Sequence, residues 1–249
     1  MVFLYAPIFV LIVFSFNASS SRAVWSGFTL KWYRELFGDK YIMSSFYTTI
    51  AVSVTAAAAS TAVGAASAIG LHHMRRAWRT PILFVNNIPL INADIVTGVA
   101  MCLLFVSLKA FINFELGFGT LLIAHITFNI PYVILSVTPR LYSLDANLMD
   151  AARDLGCTFF GAIRRVMLPE IMPGIVNGAI IAFTMSIDDF VISYFTAGSR
   201  AETLSMTIYA MTRKRISPEI NALSTLLFVS VLALLVIINI RQKSEVRLQ

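Results

Sequence analysis

Apolar residues in this sequence come in long blocks, most of them about 20 residues or more, which is the length a helix needs to cross a bilayer. Six blocks stand out: Met1–Phe16, Ser44–Leu71, Pro81–Leu108, Thr120–Thr138, Ile171–Ala197 and Asn221–Ile240. They are continuously apolar, whereas the strands of a membrane barrel run about 10 residues and alternate, so the blocks predict helices. The expected fold is all-α: a polytopic bundle of six transmembrane helices forming a single domain over 1–249. Composition excludes an ordinary soluble enzyme or a disordered chain. The sequence is 58% apolar and 13% charged, against about 25% charged in soluble domains. The net charge of +6 is spread over the ends of the blocks, a pattern of bilayer flanks rather than of a nucleic-acid surface. Met1–Phe16 has neither a basic start nor a small-residue cleavage site and reads as a shortened first span. Cys102 lies in a span and Cys157 in a polar loop, so they form neither a metal spacing nor a disulfide framework.

Alternation of the spans puts the loop Leu71–Thr80, the loop Pro139–Glu170 and the tail after Ile240 on one side. They carry ten basic residues, Arg247 among them, against nine on the other side, including Arg22 and Arg215. The count is nearly even. Short loops carry the positive-inside signal most strongly, so the cluster Arg75-Arg76-Ala77-Trp78-Arg79 assigns that side, and with it both termini, to the cytoplasm. The second span is rich in small residues, among them Gly64, Ala65, Ala66, Ala68 and Gly70, which let helix backbones approach closely in lipid.

The loop Pro139–Glu170 is too long for a plain connector and its pattern is helical. Asp145 or Asn147 can cap a helix that runs to Leu155, with Gly156 as its stop. A second helical stretch, Phe159–Leu168, is expected to end at Pro169. Leu148, Ala151, Ala152 and Leu155 recur at helical spacing, as do Phe159, Ile163 and Val166. The loop therefore offers apolar surface outside the bilayer, suited to the chain's own helix ends or to another protein.

Three of the thirteen acids fall within apolar spans: Asp94, Asp188 and Asp189. A charge at a helix centre costs roughly 2.5–3.5 kcal/mol on insertion scales, so such residues face a cavity or a partner. On the fifth span Gly174, Gly178, Ala182, Ser186, Asp189 and Ser193 form one small or polar stripe, and Asn177, Thr184 and Asp188 a neighbouring one. Asn87, Asp94, Gly98 and Met101 share a face of the third span, subject to Pro89. These stripes are expected to line a cavity. The alternatives are salt bridges or a structural role for one acid. Trp25, Trp32 and Tyr33 precede the second span, where aromatic residues anchor helices in the headgroup zone, and His125 is expected to make a structural hydrogen bond. No spacing suggests a catalytic triad, a metal site or a cofactor loop.

The segment Asp150-Ala151-Ala152-Arg153-Asp154-Leu155-Gly156, followed by Ile163-Arg164-Arg165-Val166-Met167-Leu168-Pro169, resembles the Glu-Ala-Ala coupling loop of ABC importer permeases. Asp150 stands for the usual Glu and Val166 for the usual Ile. Trp25–Tyr33, His125–Phe128, Ser186–Asp189 and Ser217–Ala222 are similar to stretches in the permease subunits of spermidine/putrescine importers. The resemblance implies a six-helix type I permease fold in a bacterial inner membrane and a second permease subunit of like fold. It further implies a dimer of cytoplasmic ATPases and an extracytoplasmic polyamine-binding protein. It assigns Asp150, Ala151, Ala152, Arg153, Leu155, Gly156, Leu168 and Pro169 to ATPase coupling, and adds Trp32 as a cation–π contact to a pathway of Asp94, Ser186, Asp188 and Asp189. No Lys follows a Gly as a phosphate-cradling loop requires, so ATP and Mg are expected on the partner chain, with no cofactor here. Acids and aromatic faces suit polyamine ammonium groups and argue against an anion. Importers of another solute and ion-driven secondary transporters are the competing readings. The second would prefer a complete inverted repeat, which the sequence does not display.

Overall fold

The computed structural model describes residues 2–19, 24–145, 147–214 and 218–246. Arg22, Arg215, Ser217 and Arg247, which entered the charge count or the motif comparison, lie outside the described residues. The chain is helical: α1 (Val2–Phe14), α2 (Lys31–Gly38), α3 (Lys40–His73), α4 (Arg76–Ile91), α5 (Asp94–Lys109), α6 (Phe118–Tyr142), α7 (Leu148–Asp154), α8 (Phe159–Ala162), α9 (Leu168–Asp188), α10 (Val191–Thr196), α11 (Leu204–Lys214) and α12 (Pro218–Val246). Among the described residues the one extended pairing is a single bridge, Asn17 to Phe28.

Every apolar block becomes helical, but two of them break. α3, α6 and the run Phe159–Asp188 are each long and apolar enough to cross a membrane. The block expected as one span over Pro81–Leu108 is two helices, α4 and α5, bent by 109°. Asn92 and Ala93 are extended at the bend, with ψ of 148° and 136°. Pro89 has no N–H to give the preceding turn, and Asn92 closes α4 by donating its backbone N–H to Ile88 O. The block Ile171–Ala197 likewise stops at Asp188, and α10 starts afresh at Val191.

The reverse correction applies at Pro169, which does not end a helix. Ile163–Met167 forms a wider π-helical turn, with Leu168 N–H donating to Ile163 O, and α9 continues through Pro169 in its first turn. The altered register absorbs the missing N–H and the ring that would clash in a regular helix.

The chain divides into two compact units, 1–50 with 201–249, and 51–200. In the first, Trp32 and Leu36 of α2 pack with Ile42 of α3, Leu204 of α11, and Ala222 and Leu223 of α12. Thr49 Oγ1 accepts from Leu204 N at 2.7 Å, and Thr207 Oγ1 lies 2.9 Å from Ser45 Oγ. Buried Asn17 holds the loop between α1 and α2: its carbonyl accepts from Trp32 Nε1 at 2.7 Å, its Oδ1 from Ser26 N at 3.0 Å, and its Nδ2 donates to Val24 O at 2.8 Å.

In the second unit α9 lies along α6. A Cβ added at Gly178 would sit 3.3 Å from Val133 Cα, and one at Gly174 would sit 3.2 Å from Ser136 O. On α3, a Cβ added at Gly64 would sit 2.7 Å from the Cβ of the same Val133. The small residues of the second span thus do what small residues do in lipid, admitting a neighbouring backbone. The stripe Gly174, Gly178, Ala182 and Ser186 is buried and is a packing seam, not the wall of a cavity as the helical wheel suggested.

Candidate functional site

The α6 seam is laced by polar groups, of which Asn129 and Ser136, two turns apart, share one face. Thr120 Oγ1 donates to Thr196 O at 2.7 Å, Asn129 Nδ2 to Ser186 Oγ at 2.7 Å, and Ser136 Oγ to Gly174 O at 3.0 Å. Between the first two lies a buried group of three. Ser193 Oγ donates to Asp189 Oδ2 at 2.9 Å, and His125 Nε2 stands 3.1 Å from Ser193 Oγ and 3.5 Å from Asp189 Oδ2. Ser193 spends its single hydroxyl hydrogen on the carboxylate, so its oxygen accepts and His125 Nε2 carries a hydrogen. The His125 and Asp189 side chains are 1% and 8% exposed. Interhelical hydrogen bonds in membranes average about 0.6 kcal/mol, so the value of this ladder lies in register as much as in energy.

Asp189 also explains the break it sits on. Its backbone is extended, with φ −60° and ψ 126°, and its carboxylate accepts from Ile192 N at 3.2 Å and Ser193 N at 2.7 Å. Those amides have no partner in a helix that has only just started, and a carboxylate is among the best groups to satisfy them. The Asp189 side chain thus caps the first turn of α10 from the position just before its N-cap residue, Phe190.

The two neighbouring acids therefore diverge. Asp188, the last residue of α9, is exposed and follows Asn177 and Thr184 on an open polar stripe of that helix, where Asn177 is exposed and Thr184 half-buried. Asp94 is exposed in the first turn of α5. One turn later Gly98 packs on α10, where an added Cβ would meet Phe195 Cδ2 at 3.1 Å and Ile192 Cα at 3.5 Å. Asp94 and Asp188 thus sit at helix breaks on elements joined through α10. Phe105, Phe128 and Ile192 form the adjoining apolar core, with Tyr132 packed against it.

The other expected pathway residues lie elsewhere. Ser186 is inside the seam, bonded to Asn129. Trp32 belongs to the first unit, where its ring is buried and its indole N–H bonded to Asn17 O; Lys31 Nζ lies 5.2 Å from that ring. The cap role of Asp189 and the partnership of Asn129 with Ser186 escaped the sequence reading. Asp before an apolar helical run is a recognised start signal and could have revealed the first. Among the described residues no group of three His, Cys, Asp or Glu side chains is placed to hold a metal.

The loop motif is a second candidate region. Asp145 Oδ1 accepts from Asn147 N at 2.9 Å, shaping the turn into α7. At its end Gly156 N–H donates to Arg153 O and Cys157 N–H to Ala152 O, at 2.9 and 3.1 Å. This paired pattern requires a left-handed residue at its centre, and Gly156 has φ +85°. The glycine stop is where the sequence indicated. Thr158 Oγ1 then accepts from Gly161 N at 3.2 Å and caps α8. Ala152 is buried and Leu168 half-buried, while Asp150, Ala151, Arg153 and Pro169 are open to solvent. Asp150 and Arg153 pair loosely at 3.9 Å. Leu155 and Phe160 are 87% and 80% exposed, an apolar surface left open among the described residues. The ends of α3, α4 and α6 meet beside α8: His73 lies 5.6 Å from the Phe159 ring, and His72 and Arg79 lie 5.6 and 5.5 Å from Tyr142. The arginine-rich start of α4, with Arg75 before it and Arg76 and Arg79 in its first turn, and the motif loop therefore share one end of this unit.

A family described as "Binding-protein-dependent transport system inner membrane component" matches residues 60–244. The chain belongs to that family. This family member is a multi-pass membrane transport component, and the segment Asp150–Pro169 lies inside the matched region. It is similar to the spermidine/putrescine transport system permease protein PotC of Escherichia coli K12, with 36% identity over 94% of this chain and 87% of that protein. It is 38% identical to the putrescine transport system permease protein PotI of the same organism, over 90% of this chain and 81% of that one. The PotC protein of Haemophilus influenzae is 34% identical over 94% and 90%. Among solved structures, a bacterial ABC transporter involved in import of the acidic polysaccharide alginate superposes with a TM-score of 0.80 at 13% identity, covering 98% of this chain and 90% of that one. The inward-facing MetNI methionine ABC transporter superposes at 0.65 with 19% identity, covering 83% and 94%. At those identities the likeness is one of fold: this family member has the ABC importer permease fold.

Proposed function

We propose that this chain is the permease subunit of a polyamine ABC importer, forming the translocation pathway together with a second permease of like fold. The observation that carries the substrate class is identity of 34–38% along nine-tenths or more of the chain to permeases named for spermidine and putrescine. The exposed acids Asp188 and Asp94 support it. A polyamine entering a low-dielectric path must exchange water for negative partners, and an open polar stripe ending in a carboxylate supplies one. Asp189 and Ser186 serve that path by fixing α10 and α9 rather than by touching the cation.

In this reading the arginine-bearing end of the second unit is cytoplasmic. Asp150–Gly156, with Leu155 and Phe160 as its apolar points, docks on one member of a dimer of ATPases, which holds ATP and Mg. An extracytoplasmic binding protein delivers the polyamine, and the bundle alternates its access as the ATPases close and open.

The test is uptake of labelled putrescine and spermidine into vesicles containing the assembled complex. ATP-dependent uptake of either supports the reading; uptake of a different solute through the same complex, with none of these, overturns it. Gly156→Val should leave the chain inserted and the complex purifiable, yet lower binding-protein-stimulated ATP hydrolysis and uptake together. A Cβ added at Gly156 meets no atom of the described residues within 4 Å, so the effect arises from φ +85°, which costs a non-glycine residue roughly 1–2 kcal/mol, and from the altered docking surface. Unchanged coupling in that variant would take the loop out of the coupling role.

A further inference from the structure

The first unit carries an apolar groove of about 370 Å³, open along one side, large enough to hold part of a small ligand, since such sites run from roughly 300 Å³ upward. Leu30, Tyr33 and Phe37, along α2 and the residue before it, form one wall with Phe16, and Leu226 and Val229 of α12 form the other. Phe16 and Tyr33 stack on each other at 5.2 Å between ring centres. Arg34 stands four residues after Leu30 and three before Phe37, which places it on the same face of the helix as the groove wall. Arg34 is exposed, and the neighbouring Lys31 is engaged by Glu35 at 3.6 Å.

We infer that this groove binds a phospholipid of the surrounding bilayer, with an acyl chain between α2 and α12 and an anionic headgroup on Arg34. The occupant follows from the two walls. α2 is short and amphipathic, and the segment leading to it exposes Trp25, Phe28 and Leu30, the aromatic and apolar set that settles at the headgroup boundary. α12 over Pro218–Ala233 is an apolar helix. A groove running from an interfacial helix onto an apolar one spans the two depths that one lipid molecule occupies. A guanidinium at the interfacial end matches a phosphate in charge and in fork geometry. The inference is independent of which solute the pathway carries.

The experiment uses the assembled complex in phosphatidylcholine nanodiscs doped with photoactivatable phosphatidylglycerol or, separately, with phosphatidylcholine bearing the same acyl-chain probe. Phosphatidylglycerol should label peptides containing Phe37 and Val229 more strongly than phosphatidylcholine does. Arg34→Gln should reduce that preference about fivefold, the weight of one basic residue near an anionic surface, while Arg34→Lys should largely keep it. Val229→Trp, at an exposed position, should abolish labelling of these peptides by either lipid. Equal labelling by the two lipids in the unaltered complex overturns the inference. So does a cysteine at Val229 that cross-links to another subunit, which would show a protein helix in the groove.

Discussion

Asp188→Asn should lower polyamine uptake by about tenfold or more and leave the amount of chain in the membrane unchanged, whereas Asp189→Asn should lower the amount of folded chain itself. Two adjacent carboxylates would thus fail in different ways. Asp188 ends an open polar stripe, and its carboxylate is held only by its own backbone N–H and by no other helix among the described residues, so removing its charge removes little but its field. Two unit charges about 4 Å apart interact by ~4 kcal/mol at an effective dielectric of about 20; losing a third of that already slows transport about tenfold. Asp188→Glu should retain most of the activity. Asp189 accepts from Ile192 N, Ser193 N and Ser193 Oγ. An amide nitrogen in place of one oxygen faces donors, and each buried donor left unpaired costs about 1–3 kcal/mol. The cap of α10 is lost with it. Uptake in vesicles, membrane levels of each subunit and thermal unfolding of the purified complex separate the two. Equal behaviour of the variants in all three measurements would remove the division of labour between these acids.

Those acids also mark how far the sequence could be read. Their cost in lipid singled out Asp94, Asp188 and Asp189 correctly as residues needing an explanation, but hydropathy treats a broken span and a continuous one alike. Asn92-Ala93-Asp94 and Asp188-Asp189-Phe190 sit inside blocks that remain apolar on average, so the breaks were invisible although the residues at them were not. The small-residue stripe of α9 was legible as a stripe and misassigned as a cavity wall, because glycine serves equally where a helix backbone approaches and where a pathway needs width. Val133 decides the matter by touching Gly178 and Gly64 at once, a contact between segments far apart in sequence. The loop after α6 was more transparent because its signals are local: Gly156 ends α7 through its own φ and two neighbouring carbonyls. Pro169 misled for the complementary reason. A proline ends a regular helix, and only the π-helical turn before it lets the chain run on.

Gly64→Leu should remove most of the folded chain from the membrane, while Gly70→Leu on the same helix should leave it in place. Helix propensity alone makes no such distinction, since each change replaces glycine by a better helix former. The surroundings do. At Gly70 an added Cβ meets nothing within 4 Å, whereas at Gly64 it would lie 2.7 Å from Val133 Cβ and 2.8 Å from Val133 Cγ1. Valine is stiff at χ1 and cannot swing aside. Nor can α6 retreat, because α9 is packed so closely on it that a Cβ added at Gly178 would also meet Val133, 3.3 Å from its Cα, and Ser136 and Asn129 tie the same two helices by hydrogen bonds. Inserting even one methyl into a well-packed core costs about 1–3 kcal/mol, against a total stability of about 5–15 kcal/mol for typical domains. A full leucine side chain exceeds what this junction can absorb. Gly64→Ala should fall between, with a lowered unfolding temperature and retained insertion. Membrane abundance and thermal unfolding of the four proteins, wild type included, should therefore rank with the room at each site. Equal loss at Gly64 and Gly70 would mean that the α3–α6–α9 junction does not hold this unit together.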